Sequence, residues 1–133
     1  DAVLMSLNAA QSANPVAQRR MTPIPAFEQS ALPVALEKNL GVLSMKVMGQ
    51  GMLVGSGAGR AAAAELLQFN LSQPVASVII GCEQLSLLEE NIQAAVNFTS
   101  ISDDAKQRLQ EKVAPSRSAW ENFLREHEDS AMV

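Results

Sequence analysis

The segment from Pro74 to Asn97 restricts the fold most, because its apolar spacing changes from that of a strand to that of a helix. A β-branched run comes first, typical of a strand buried on both faces of a parallel sheet: Val75, Val78, Ile79 and Ile80. Gly81 ends this run. Apolar residues then recur at helical intervals, with the polar positions Glu89, Glu90, Asn91 and Gln93 turned outward: Leu85, Leu88, Ile92, Ala95 and Val96. The pattern predicts a strand, a tight turn and a helix.

The turn at Gly81 has the chemistry of an anion site. A glycine at the carboxyl end of a parallel strand lets a ligand approach the backbone, and the N-terminus of the next helix presents free N–H groups. Proteins of the α/β class bind phosphates at this position. The segment therefore predicts a turn that accepts a phosphate.

Two more strands precede this unit, each followed by helix-forming sequence. The first is predicted from Ala2 to Leu7, with Asn8 at its exit, and the second from Val42 to Met45, with Lys46 at its end. A proline-rich loop (9–25) and a helix (26–39, opened or kinked at Pro33) lie between them. A glycine-rich loop (47–59) and a helix (60–71) follow the second strand. This alternation predicts repeated βα units with a parallel sheet.

The last part of the chain reads as helical. Ser102 has the position of an N-cap for a helix that runs to about Val113, and Pro115 breaks that helix. A final amphipathic piece from Ala119 to Glu128 carries its large side chains on one side: Trp120, Phe123, Leu124 and His127. We expect this tail to pack on the body of the protein or on a partner.

Composition limits the classes of partner. The 133 residues, 47% hydrophobic and 18% charged, fit one globular domain, and no apolar run reaches the length of a membrane span. A net charge of −4 without a basic cluster argues against nucleic acid and anionic lipid, and so favours small molecules. The single cysteine, Cys82, excludes an internal disulfide and fits a reducing compartment such as the cytoplasm. Because the chain opens at Asp1 directly into an apolar run, we expect it to be part of a longer protein.

Two stretches resemble a known family. The sequence GVLSMKVMGQGML from Gly41, paired with VIIGCEQLSLLEEN from Val78, is similar to the last part of the aldo/keto reductases. The resemblance covers residues 1–114, which match the last three units of the family's eight-unit barrel, and leaves 115–133 as a helical tail. It implies a (β/α)8 barrel that binds NADP or NAD over its C-terminal face and reduces aldehydes or ketones.

The resemblance implies a cofactor site made from two successive turns. The first turn would meet the nicotinamide and the diphosphate, through Ser44, Met45, Lys46, Gly49 and Gly51. The second turn and the helix after it would meet the adenosine phosphate and the adenine, through Gly81, Cys82, Glu83, Glu90 and Asn91.

Two of these positions depart from the family's pattern. Met45 stands where many members have an aromatic ring that stacks on the nicotinamide, and Glu83 lies where NADPH-preferring members usually carry arginine. A carboxylate at that place repels a 2′-phosphate and can accept a hydrogen bond from a free ribose hydroxyl. We therefore predict tolerance of NADH, or a preference for it.

The family's catalytic set is not found in this sequence. Family members use Asp, Tyr, Lys and His from the first four strands, with the tyrosine as proton donor. These 133 residues contain no tyrosine, and their one histidine, His127, is in the tail. No catalytic residue is assigned, and we expect no turnover by the chain alone.

Three hypotheses follow from these patterns. The first is the cofactor-binding portion of a carbonyl reductase, which acts on a small-molecule substrate. The second is a nucleotide-binding module without catalysis, and the third is an interaction fragment that uses the face from Trp120 to His127. Because three strands taken from a closed barrel leave two unpaired edges, the isolated chain is also predicted to self-associate.

Overall fold

Three parallel strands alternate with helices in a computed structural model that describes residues 1–10 and 26–126, apart from the side chains of 124–126. The strands are β1 (Ala2–Ser6), β2 (Gly41–Met45) and β3 (Ser77–Val78), in the spatial order β1-β2-β3. The helices are α1 (Ala31–Glu37), α2 (Ala63–Leu71), α3 (Leu85–Val96), α4 (Asp103–Val113) and α5 (Arg117–Glu126). The predicted parallel α/β fold is confirmed. The predicted proline-rich loop (9–25) falls largely outside the described residues.

The register of the sheet sorts side chains onto two faces. Leu4 lies opposite Leu43 on one face, and Met5 lies opposite Ser44 on the other. The face with Met5 is covered by α1, where the buried residues are Met5, Leu7, Leu32, Ala35 and Val42. The face with Leu4 has no covering layer among the described residues, and Leu4 is half exposed.

A second core joins the C-terminal helices to the body of the protein. Trp120 of α5 is fully buried, and it shares a cluster with Phe69 and Leu66 of α2 and with Leu109 and Val113 of α4. Of the two expectations for the tail, packing on the body is therefore the one observed. Burial of a side chain as large as tryptophan contributes a few kcal/mol, about 3 on the usual scale.

Capping chemistry places the helix starts. Ser102 is confirmed as the N-cap of α4, since its hydroxyl accepts a hydrogen bond from the N–H of Ala105 at 3.3 Å. Helix α2 begins at Ala63, later than predicted, and the Glu65 carboxylate accepts from the N–H of Ala62 at 2.8 Å. Helix α1 is shorter than the predicted helix because Pro33 lies in its first turn, where a missing N–H breaks no helical bond.

The prediction that the third strand is buried on both faces is wrong. Within the predicted third strand, only Ser77 and Val78 have strand pairing, and Ile79 is 49% exposed. The physical reason is that, among the described residues, β3 pairs with β2 alone, so it is an edge strand with one open face. The sequence identified the apolar residues of this strand, but it could not show whether another helix or strand covers them.

Helix α3 forms as predicted, but no other part of residues 1–10 and 26–126 covers its apolar stripe. Leu85 is 71% exposed and Val96 is 75% exposed, and α3 contains no buried residue. The helix lies beside α2 on the side that carries Asn91 and Ala94, both half-buried. The expectation that Asn91 points outward is therefore also corrected.

Candidate functional site

A turn follows the carboxyl end of β2, and two hydrogen bonds to the Lys46 carbonyl oxygen hold it. Lys46 leaves the strand with a φ of 57°, in the left-handed region that residues other than glycine seldom adopt. Its carbonyl oxygen accepts a hydrogen bond from the N–H of Gly49 at 2.9 Å and another from Nδ2 of Asn8 at 3.2 Å. These two bonds hold the backbone from which the Lys46 side chain projects.

Asn8 links the ends of β1 and β2, a role that the sequence analysis missed. Its side chain is buried, and Oδ1 accepts a hydrogen bond from the N–H of Ala10 at 3.0 Å while Nδ2 donates to Lys46. A buried amide with both ends paired rigidifies its surroundings, since breaking one bond leaves an unsatisfied polar atom. The available signal was a polar residue directly after a buried apolar run.

Glu28 is a second residue that the patterns did not reveal. Burial raises the pKa of its carboxyl group, and backbone N–H groups of Glu28 itself and of Asn8 donate to it and partly oppose that rise. The contact with Asn8 places this carboxylate at the carboxyl end of β1. It precedes α1 in a turn without periodic spacing, so no hydrophobic pattern marked it.

Helix α5 also reaches this edge of the sheet. The ammonium nitrogen Nζ of Lys46 lies 5.5 Å from the ring centroid of Phe123, within the range of a cation–π contact. The Phe123 ring stacks on Trp120 with centroids 5.6 Å apart. From the same helix, Nε of Arg117 donates to the carbonyl oxygen of Ala10 at 2.8 Å. Helix α5 thus contacts residues that follow the carboxyl ends of β1 and β2.

Ser44 and Met45 lie on opposite faces of β2. Ser44 is fully buried, and its hydroxyl donates to Oδ1 of Asn70 at 2.9 Å, while Nδ2 of Asn70 donates to the carbonyl oxygen of Leu66 at 3.1 Å. The Ser44 hydroxyl is therefore used in anchoring α2 to the sheet. Met45 is half-buried on the open face, at the last position of the strand.

The two predicted glycines of the first turn differ in their surroundings. Gly49 is buried with a φ of 55°, and a Cβ added there would lie 2.7 Å from Cγ of Leu53. Gly51 is exposed with a φ of 81°, and an added Cβ would meet no atom within 4 Å. Gly49 is thus needed for the turn itself, whereas Gly51 leaves backbone open to a ligand.

The second turn is exposed and partly tied to α3. Gly81, Cys82 and Glu83 lie on the surface between β3 and α3, and an added Cβ at Gly81 would meet no atom within 4 Å. Nδ2 of Asn91 donates to Sγ of Cys82 at 3.4 Å, which brings two of the predicted residues together. Because β2 and β3 are parallel neighbours, the two turns share one edge of the sheet.

An open groove of about 630 Å³ runs between α2 and α3. Glu90 and Asn91, both predicted site residues, line it together with Glu89 and the start of α2 at 62–64. No lysine or arginine occurs in the sequence between Arg60 and Lys106. The second turn and the groove are therefore acidic, whereas the first turn carries the cation of Lys46.

Residues 1–10 and 26–126 contain no group of three or more His, Cys, Asp or Glu that could hold a metal ion. Within the same ranges, none of the helices combines the length and apolar character that crossing a membrane requires.

Comparison with known proteins identifies the architecture. No protein-family model and no curated protein matches the chain. Among solved structures, aldo-keto reductase AKR11C1 from Bacillus halodurans in its holo form matches with a TM-score of 0.55 and 16% identity. The fold is an open parallel α/β sheet that matches part of the (β/α)8 barrel of this reductase. The match covers 83% of this chain and 41% of the reductase, so the chain spans about two-fifths of that protein. The resemblance found in the sequence is confirmed for the fold.

Proposed function

We propose that this chain is the cofactor-binding C-terminal portion of an NAD(P)H-dependent aldo/keto reductase that reduces aldehydes or ketones. The observation that carries the proposal is the likeness of its three parallel βα units to part of a reductase solved in its holo form, a form that contains cofactor. Sites in barrels of this kind are built from the loops after the strands. Lys46 and the two turns stand in those loops.

The residues at the edge fit an extended dinucleotide. Lys46 supplies a cation for the diphosphate, and the backbone at Gly51 and Gly81 is open to close approach by phosphate oxygens. Glu83 is exposed where the adenosine end would lie, and its charge favours a free ribose hydroxyl over a 2′-phosphate. When bound, the cofactor supplies the hydride that reduces the carbonyl carbon.

The proton for the carbonyl oxygen must come from another part of the active site. These 133 residues contain no tyrosine, and His127 lies outside the described residues. In this proposal the chain holds and orients the cofactor, while the remaining barrel units supply the proton donor and the substrate pocket. The single, exposed cysteine is compatible with a cytoplasmic protein.

A second candidate function is that of an interaction fragment. The observation that favours it is the exposed apolar stripe of α3, formed by Leu85, Leu88, Ile92 and Val96. The sequence alternative that used the face around Trp120 loses support, because Trp120 is buried in the protein's own core. The two candidate functions differ in whether a nucleotide binds.

Calorimetric titration of the chain with NADH and with NADPH tests the proposal. We expect saturable binding of at least one of them, weakened about tenfold by Lys46→Met, because a charge-assisted contact to phosphate is lost. Lys38→Met is the matched control, since Lys38 is exposed at the end of α1, just before the amino end of β2. Absence of binding at millimolar nucleotide, or equal loss in both variants, would contradict the proposal.

A further inference from the structure

The side chain of Lys46 is restrained at both ends, at its backbone and at its ammonium group. Its backbone is held by hydrogen bonds from Gly49 and Asn8, while Nζ lies over the ring of Phe123 at 5.5 Å from the centroid. A lysine side chain is otherwise among the most mobile, and ordering it on binding an anion costs conformational entropy. A contact that already restricts its rotamers reduces that cost.

The ring of Phe123 is itself held in place by buried structure. It stacks on Trp120 with an interplanar angle of 16°, and Trp120 is fully buried. The position of the ring therefore follows from the packing of α5 in the core rather than from a surface rotamer.

The start of α5 is tied to two loops of the same edge. The hydroxyl of Ser116 donates to the carbonyl oxygen of Gly59 at 2.7 Å, and Nε of Arg117 donates to the carbonyl oxygen of Ala10 at 2.8 Å. Gly59 ends the glycine-rich loop, and Ala10 follows β1. The helix that carries Phe123 is thus tied to the segments that follow β1 and β2.

We propose that Phe123 is a positioning residue, which holds the Lys46 ammonium group where it meets the diphosphate of the cofactor. This inference rests on the proposed function, and it adds the C-terminal helix to the cofactor site. The contact suits the task, because a cation–π interaction at a partly exposed site is weak and leaves the N–H donors of the ammonium group free to bind an anion.

A double-mutant cycle on the 133-residue chain tests the proposal, with the Kd for NADH and NADPH as readout. Phe123→Leu removes the ring and keeps apolar bulk, so we expect the Kd to rise about two- to fivefold. Phe123→Tyr keeps the ring, so its Kd is expected to equal that of the wild-type chain. Asn122→Ala, at the exposed neighbouring position of α5, is the matched control and is expected to change nothing.

The decisive comparison is the same substitution in the Lys46→Met background. If Phe123 acts through Lys46, Phe123→Leu changes the Kd of that variant by less than a factor of about 1.5, because nothing is left to position. An equal loss of affinity in both backgrounds shows a merely structural role and overturns the proposal. If the wild-type chain binds neither nucleotide, the proposed function falls and this inference with it, so the two failures are distinguishable.

Discussion

At the scale of single residues, the buried Asn8 and the half-buried Glu28 organise the carboxyl edge of the sheet. Asn8 pairs both ends of its amide with backbone groups, and Glu28 is held beside it with a pKa raised by burial. Neither residue belongs to a sequence motif, because each acts through contacts that the folded chain creates. Lys46 was predictable as a polar residue at a strand end, whereas its contact with Phe123 spans most of the chain.

Glu28 gives a prediction for pH dependence. Its folded-state pKa lies above the ordinary value of about 4.5, so the folded protein binds this proton more tightly than the unfolded chain does. Stability from this group is therefore full below about pH 4.5 and is lost as pH rises through the folded pKa. Thermal unfolding should show that Glu28→Gln raises Tm at pH 7, with a smaller difference at pH 4.

The control for this effect is Glu37→Gln, because Glu37 is exposed near the end of α1. It should leave Tm unchanged at both pH values. A lower Tm for Glu28→Gln at pH 7 would show that the ionised carboxylate stabilises the fold, which is the opposite of our account.

Glu83 gives a prediction for cofactor preference. Replacing its carboxylate with a cation, in Glu83→Arg, should lower the Kd for NADPH relative to that for NADH by about tenfold, because repulsion of a 2′-phosphate becomes attraction. Competition binding with both nucleotides measures the ratio, and Glu83→Gln should give an intermediate value. An unchanged ratio in both variants would mean that Glu83 lies away from the adenosine end.

At the scale of elements, capping and long-range pairs decide where helices begin and how they join. The Glu65 carboxylate caps α2 through Ala62 and also pairs with Nζ of Lys112 in α4 at 2.8 Å. That pairing, followed by the bond from Ala62, lowers the pKa of Glu65. Sequence predicted both helices but could not predict the pair, since its partners are 47 positions apart.

Removing this charge tests the joint between α2 and α4. Glu65→Gln should lower the free energy of unfolding at pH 7 by about 0.5 kcal/mol, the usual value for a half-exposed pair. A lowered pKa means that the stabilisation is present above the ordinary value of about 4.5 and disappears as pH falls through the folded value. Urea unfolding at pH 7 and pH 3 should show a larger difference at pH 7, and an equal difference at both pH values would refute an ionic contribution.

Helix α3 shows where sequence patterns reach their limit. Its boundaries were predicted well because the helical period is a property of the segment itself. The exposure of α3 was not predicted, because burial of an apolar stripe requires a covering surface that no local pattern specifies. The same holds for β3, whose apolar residues suggested a central strand although it lies at an edge.

At the scale of the whole molecule, three strands form an open sheet. In the described part of the chain, β1 and β3 each pair with β2 alone, while Leu4 and Ile79 are each 49% exposed on the uncovered face. Open edges and apolar faces favour pairing with other chains. We therefore propose that the isolated chain self-associates, as the sequence also led us to expect.

Sedimentation velocity tests this proposal and the part that α3 plays in it. Wild-type chain should sediment as species larger than a monomer, and a double variant, Leu85→Glu with Val96→Glu, should shift the distribution toward monomer. Both side chains are highly exposed, so the fold should tolerate the change. Glu111→Gln on α4 serves as the control, and a wild-type monomer at all concentrations would contradict the proposal.

Mapping amide NMR shifts during titration with NADH and NADPH shows directly whether a nicotinamide cofactor binds along the carboxyl edge. We predict saturable shifts concentrated at Lys46, Gly51, Gly81 and Glu83, with little change at Gly41 and Ala76 at the amino edge. Shifts centred on the amino edge, or no shifts at millimolar cofactor, would contradict the account.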